Sequence, residues 1–163
     1  MSYNDYYNSR NGRGIDVDGA YGAQCWDGYA DYCRFLGVPF ANCTSTGYAQ
    51  DIWTNRHSNG MLNYFDEVEI MQPGDIAVFA VTPSTPYSHV AIFHGDAGGG
   101  YGWFFGQNQG GPGGVYNLIK LPYSATFATA FRRKGTGSSS SGSSAAPQSL
   151  AGWIAENGTF TSA

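Results

Sequence analysis

The sequence contains few charged residues: Asp, Glu, Lys and Arg make up 12% of its 163 residues. The eight basic side chains are scattered without forming a run, and the formal net charge is −4. Proteins whose main task is to bind a nucleic-acid backbone concentrate basic residues on one surface. We therefore predict no nucleic-acid partner.

Long apolar segments are also lacking. No stretch approaches the roughly 20 apolar residues that a membrane-spanning helix needs, which predicts no membrane insertion. The first residues, MSYNDYYNSR, lack the apolar core of a secretory signal peptide. We expect a protein that is made and kept in a cytoplasm, or exported by a route that this sequence does not encode.

Cysteine is scarce, with three residues at positions 25, 33 and 43. An odd number cannot pair completely, and without a secretory signal a disulfide framework is not expected. At least one thiol should therefore be free. We interpret Cys33 and Cys43 as structural.

Glycine and aromatic residues are abundant, with 24 glycines and 16% Phe, Trp and Tyr. This composition is typical of proteins that meet carbohydrate or cell-wall polymers. Residues 135–147, GTGSSSSGSSAAP, predict a flexible linker, because they cannot bury apolar surface. Residues 148–163 regain apolar side chains and are interpreted as the start of a truncated second module, with a tail as the alternative. The main domain is predicted to cover 1–134.

Hydrophobic periodicity divides that domain into two parts. In CWDGYADYCRFL the apolar residues recur at helical spacing, which predicts a helix over 25–36. A second helix is predicted over 46–55. From residue 74 the period changes to two, in segments separated by Gly, Pro and Ser, which predicts an antiparallel sheet. Helices followed by a run of strands indicate an α+β fold. The predicted strands cover 74–81, 88–95, 102–109, 115–122 and 128–134.

Cys25 is the candidate nucleophile because it begins the predicted helix over 25–36. The positive end of the helix dipole and the unpaired N–H groups favour a thiolate, so we expect its pKa below the ordinary thiol value. An inert core thiol is the alternative that the pattern leaves open.

A nucleophilic thiolate needs a base, and the chain has three histidines. His57 falls in a polar loop, while His89 and His94 lie on one predicted strand and should face opposite sides of the sheet. We assign the base to His89, because the small Ala91 on the same face leaves room for a helix. A packed, hydrogen-bonded histidine is the alternative.

Two more polar side chains complete the candidate active site. A histidine base is normally oriented through its second ring nitrogen, and Gln107 and Asn108 are the candidates for this task. Gln24 precedes the nucleophile, so its side-chain amide and the backbone N–H of Cys25 are placed to stabilise an oxyanion.

The segment IDVDGAYGAQCWD, residues 15–27, suggests a calcium loop that leads into the nucleophile. Ala20 and Gly22 would offer only backbone carbonyls, and the glycine usual at the sixth position is replaced, so the match to an EF-hand is poor. The alternative is three carboxylates used in turns and at a helix N-terminus. Counted from the first aspartate, the EF-hand ligand positions fall on Asp16, Asp18, Ala20, Gly22 and Asp27.

Five short motifs occur in an order that resembles the CHAP family, the cysteine, histidine-dependent amidohydrolases/peptidases, and most of all the catalytic domains of bacteriophage endolysins. The resemblance implies a papain-like α+β fold, with N-terminal helices packed on a twisted antiparallel sheet. The motifs are Gln24-Cys25-x-Asp27, PFAN at 39–42, QPGDIAVF at 72–79, Tyr87-x-His89-x-Ala91 and Gln107-Asn108-x-Gly110-Gly111.

The same resemblance implies roles for individual residues. Cys25 becomes the nucleophile, His89 the general base and Asn108 the orienting residue. Many members have Glu two residues before that Asn, where this chain has Gly106. Some endolysin members carry calcium in the loop before the nucleophile, which implies Ca²⁺ as a structural cofactor here.

The implied activity is hydrolysis of an amide bond in Gram-positive peptidoglycan through an acyl-enzyme. We predict an endopeptidase acting on the stem peptide or cross-bridge. The alternatives are an N-acetylmuramoyl-L-alanine amidase with the same residues, a bacterial autolysin or secretion effector, and a non-catalytic calcium-dependent wall-binding module. An endolysin would wait in the host cytoplasm, reach the wall with the help of a holin-like partner, and rely on the missing C-terminal module for attachment.

Overall fold

The structure is a computed structural model that describes residues 2–135 and 148–149. The predicted linker beyond its first residue, and the predicted second module apart from Gln148 and Ser149, lie outside the described residues. The helices are α1 (Tyr3–Arg10), α2 (Cys25–Leu36), α3 (Asp51–Thr54) and α4 (Met61–Tyr64). The strands are β1 (Phe65–Val68), β2 (Ile70–Met71), β3 (Ile76–Phe79), β4 (His89–Gly98), β5 (Tyr101–Gly106), β6 (Asn117–Pro122), β7 (Ala130–Arg133) and β8 (Gln148–Ser149).

Six strands form one antiparallel sheet in the order β1-β7-β3-β4-β5-β6. Strands β3 to β6 are a meander, as the alternation from residue 74 predicts. Strand β7 then returns to the free side of β3, and β1 pairs with β7 at the edge. Strands β2 and β8 make a separate two-stranded pair. The predicted α+β fold is confirmed.

Helix α2 begins and ends where the sequence predicts. At its start, the Asp27 carboxylate accepts the backbone N–H of Gln24 at 3.0 Å, which satisfies a donor that the helix leaves unpaired. At its end, Gly37 adopts φ 78°, a conformation in which glycine is favoured. At 12 residues α2 is the longest helix in the part of the chain that the structure describes. No helix in that part is long and apolar enough to cross a bilayer.

The second predicted helix, over 46–55, is wrong in extent. Only Asp51–Thr54 is helical, because the Asp51 carboxylate accepts the backbone N–H groups of Ser45, Thr46 and Gly47. Those bonds hold the preceding residues in a loop that competes with the helix.

The core consists of two clusters, one on each face of the sheet. The first lies between the sheet and α2 and contains Val90 and Ile92. The second contains Ala91 and Phe93 on the opposite face. His89 was assigned as the base on the assumption that the small Ala91 lies beneath a helix. That assumption is wrong, because α2 packs on the other face of β4.

Candidate active site

An open cleft of about 810 Å³ lies at the N-terminal end of α2. Cys25, from the first turn of the helix, and His89, from the start of β4, both line it. The structure thus brings the predicted nucleophile and base into one cavity from distant parts of the chain. The other side chains around them are mostly polar or aromatic, among them Asp18, Gln24, Trp26, Asn42, Tyr48 and Tyr87.

Cys25 is fixed by the backbone around it. The backbone N–H groups of Val90 and Trp26 act to lower the pKa of its thiol, and Val90 belongs to the strand that carries His89. Burial nevertheless raises the pKa of the Cys25 thiol. The expected lowering is not found, because the loss of water disfavours the thiolate more than the helix terminus and the N–H donors favour it.

His89 is 6% exposed and packs against the Phe79 ring, with 5.6 Å between ring centroids. Burial lowers the pKa of its imidazole. His94 lies on the opposite face of β4, as predicted, where its Nδ1 is 2.7 Å from the Tyr3 hydroxyl of α1.

Gln109 takes the place beside His89 that the sequence had predicted for Asn108. The Nε2 atom of His89 lies 2.7 Å from Oε1 of Gln109. Asn108 lines the cleft one residue earlier, with φ 56° and an exposed side chain. Residue 109 lies beyond the end of β5, where strand alternation no longer indicates direction. The sequence contains one indication of this arrangement. Gly106 stands where many family members have Glu, so another side chain has to orient His89.

Gln107, the other candidate for orienting the base, instead joins two backbone segments. This buried side chain accepts the N–H of Ile15 at 2.7 Å and donates to the carbonyls of Ile15 and Gln24, at 3.0 and 2.9 Å. It therefore holds both ends of the predicted calcium loop and fixes the residue that precedes the nucleophile.

Three carboxylates of that loop converge. One oxygen each from Asp16, Asp18 and Asp27 lie within 4.8 Å of one another. Asp27 is fully buried, and burial raises its pKa although it accepts N–H bonds from Gln24, Val17 and Asp18. Clustered carboxylate oxygens are the ligands that hard divalent cations prefer, so this donor set fits a metal ion.

The CHAP domain family matches residues 14–108. The chain belongs to the CHAP family. The matched range contains Cys25, His89 and the acidic loop, and Gln109 follows it immediately. A CHAP fold is further supported by the crystal structure of the wild-type endolysin LysIME-EF1. That structure superposes with a TM-score of 0.62 at 24% identity, covering 82% of this chain and 64% of the other.

A relative of higher identity is the "D-alanyl-L-alanine endopeptidase" of Streptococcus phage B30. It is 68% identical over 134 residues, which cover 82% of this CHAP chain. The same alignment covers 30% of the relative, so the chain spans less than a third of that protein's length.

Proposed function

We propose that this CHAP domain is a cysteine endopeptidase that hydrolyses peptidoglycan as part of a phage endolysin. The observation that carries the proposal is the shared cleft of Cys25 and His89, in which a thiol, an imidazole and an open substrate path occur together. The 68% identity to a phage endopeptidase supports the same class of reaction.

The proposed reaction is acyl transfer through Cys25. As the sulfur attacks the substrate carbonyl, His89 takes the thiol proton and then gives it to the leaving amine. The side chain of Gln24 and the backbone N–H of Cys25 stabilise the oxyanion. Water, deprotonated by His89, then releases the acyl group and restores the thiol.

The proposed bond is the one between D-alanine and L-alanine, as named for the streptococcal phage relative. Its cleavage creates a new C-terminal D-alanine and a new N-terminal L-alanine in the wall digest. Mass spectrometry of digested streptococcal walls should detect both ends. Release of intact stem peptides from muramic acid would instead identify an amidase.

Two alanine variants test the catalytic assignment. Cys25→Ala and His89→Ala should each slow the loss of turbidity of a wall suspension by roughly 10³-fold or more, since both groups take part in bond breaking. His57→Ala is the matched control, because this histidine is exposed outside the cleft, and it should lyse walls normally. A fully lytic Cys25→Ala protein would exclude the proposed mechanism.

We further propose that the acidic loop binds a structural Ca²⁺. Asp16, Asp18 and Asp27 supply carboxylate oxygens, and the backbone carbonyls of Ala20 and Gly22 complete the set. Because Asp27 also bonds the N–H of Gln24 at the start of α2, an ion here would steady the approach to Cys25 without touching substrate.

Thermal unfolding tests the calcium proposal. Calcium at about 100 times its Kd should stabilise the fold by about 2.7 kcal/mol, which raises the Tm, and EDTA should reverse the shift. Asp16→Asn should abolish the shift, whereas Cys25→Ala should retain it. A Tm that is unchanged by both calcium and EDTA would refute the proposal.

For the parent protein we propose a wall-binding module joined through the linker, in line with the 30% coverage of the phage relative. Such a module raises the local concentration of the enzyme on its polymer. We also propose that the protein is held in the host cytoplasm until a holin-like partner opens the membrane. Host-cell fractionation before and after membrane permeabilisation would test this, since the protein should move from the cytosolic to the wall fraction.

A further inference from the structure

We propose that Gln109 is a positioning residue, whose side-chain oxygen holds His89 in the tautomer that leaves Nδ1 free to receive the proton of Cys25. The inference rests on the proposed function, because it concerns the same candidate base. Its first test needs no substrate, so the two proposals can fail separately.

The orientation of the Gln109 amide is fixed by its other contacts. Its Nε2 donates hydrogen bonds to the backbone carbonyls of Phe104 and Asn117, at 3.0 and 2.8 Å. Carbonyl oxygens only accept hydrogen bonds, so the NH₂ end of the amide must face them. The Oε1 end therefore faces His89 and has no freedom to exchange places.

The amide orientation determines which nitrogen of His89 carries the proton. The Gln109 oxygen can only accept, and it lies 2.7 Å from the ring Nε2, so that nitrogen must be the donor. Because burial lowers the pKa of His89, the ring is neutral near neutral pH and holds one proton. The lone pair is then on Nδ1, the form that a general base requires.

Gly106 keeps open the space that Gln109 crosses. A Cβ atom on residue 106 would lie 2.8 Å from Oε1 of Gln109 and 3.0 Å from Cβ of Ala91. Both separations are shorter than ordinary van der Waals contact. A side chain at 106 and the present position of Gln109 therefore exclude each other, which explains why the orienting group arrives from residue 109 in a chain with glycine at 106.

The hydrogen bond from the neutral Gln109 amide orients the ring and raises the pKa of His89, but burial outweighs it and the pKa is lowered overall. In the described residues, Gln109 is the hydrogen-bond partner of the His89 ring, and the Phe79 ring of β3 packs beside it. No carboxylate bonds the ring among those residues. The titratable side chains that share the cleft come from α2 and the surrounding loops and are Cys25, Asp18, Cys43, Tyr48 and Tyr87.

The first experiment compares Gln109→Met with the wild type. Methionine is of similar length but has neither the amide oxygen nor the NH₂ group. Nitrogen-15 NMR of labelled histidine at neutral pH should show His89 protonated on Nε2 in the wild type and a mixture of tautomers in the variant. Wall lysis should fall through kcat by roughly 10-fold or more, which is part of the 10²- to 10⁴-fold contribution of acid–base catalysis, with KM little changed.

Asn108→Ala is the matched variant, since it removes the neighbouring side chain that the sequence pattern favoured. It should keep the Nε2-protonated form of His89. Wild-type tautomer and kcat in Gln109→Met, or loss of the tautomer in Asn108→Ala, would overturn the proposal. A Cys25→Ala protein that still lyses walls would instead refute the proposed function and leave the NMR result intact.

Gly106→Ala provides an independent test if Gln109→Met folds poorly. The added methyl group should displace the Gln109 oxygen and disturb the His89 tautomer while the amide itself is retained. In a Gln109→Ala background the same substitution should lower kcat much less, because the Gln109 oxygen is then absent and only the contact with Ala91 remains. Equal effects of Gly106→Ala in both backgrounds would contradict the proposed exclusion.

Discussion

At the level of the residue, burial favours the uncharged form of both Cys25 and His89. It raises the pKa of the Cys25 thiol and lowers the pKa of the His89 imidazole, so both changes favour the uncharged form. In the resting site, the cleft therefore contains a neutral thiol and a neutral imidazole. In the proposed reaction, proton transfer accompanies the attack on the substrate, which makes the tautomer of His89 decisive.

The fall of activity at acidic pH should follow the protonation of His89. Because its pKa lies below the ordinary 6.5, the ring stays neutral and able to accept a proton at pH values somewhat below 6.5. We expect kcat/KM to hold its plateau below pH 6.5 and then to fall as His89 is protonated. A pH profile of wall lysis measures this, and His57→Ala should leave it unchanged. A limb with a midpoint above 6.5 would contradict the prediction.

Stability should depend on pH through the same group. A base whose folded pKa is lowered takes up its proton more readily in the unfolded chain, so stability is present above the unfolded value of about 6.5 and declines as pH falls through it. Thermal unfolding of the wild type at several pH values separates this loss of fold from the loss of activity.

Close packing of α2 against the rest of the domain depends on one glycine. A Cβ on Gly28 would lie 2.9 Å from the Tyr116 hydroxyl oxygen and 3.3 Å from Cγ of Gln107. The same Tyr116 hydroxyl donates to the Gly28 carbonyl at 2.8 Å. The helix that carries Cys25 is thus held close to the loop that carries Gln107.

Gly28→Ala should therefore lower stability, although alanine is the better helix former by about 1 kcal/mol. Overpacking typically costs about 1–3 kcal/mol, so we expect a net loss in urea unfolding. Gly95→Ala is the control, because nothing lies within 4 Å of its added Cβ, and its effect should be small. A more stable Gly28→Ala protein would show that the helix has room to move.

The elements that were predicted correctly are those whose signals are local. Helix α2 has a helical period, an N-terminal aspartate and a terminal glycine within its own sequence, and the meander has short apolar segments separated by Gly, Pro and Ser. Helix α1 and strand β1 were missed because they are short and depend on partners far along the chain. Gln109 could not be predicted, because its direction is set by the carbonyls of Phe104 and Asn117 and not by a repeat.

At the scale of the whole molecule, the net charge of −4 opposes contact with an anionic cell wall. Salt should weaken this repulsion, because the Debye length falls from about 30 Å at 0.01 M to about 8 Å at 0.15 M ionic strength. The charge therefore acts on the encounter with the polymer and leaves the chemistry inside the cleft unaffected.

The chain described here should accordingly lyse walls faster as NaCl is raised over that range at constant calcium. Initial rates of turbidity loss measure the effect. Cleavage of a short uncharged peptide substrate is the control and should change little. A lysis rate that falls with salt would indicate that attraction, and not repulsion, governs the encounter.

Gln107 fixes both ends of the acidic loop, so the length of the loop between them can vary at little entropic cost. Its single amide nitrogen bonds the carbonyls of both Ile15 and Gln24, so the chain leaves and re-enters the domain at neighbouring points. Lengthening a loop between fixed ends costs only about 0.6 kcal/mol for each doubling of its length. Insertions within residues 16–23 should therefore cost the fold little through chain entropy, and their main effect should fall on the carboxylates and carbonyls of the proposed Ca²⁺ site.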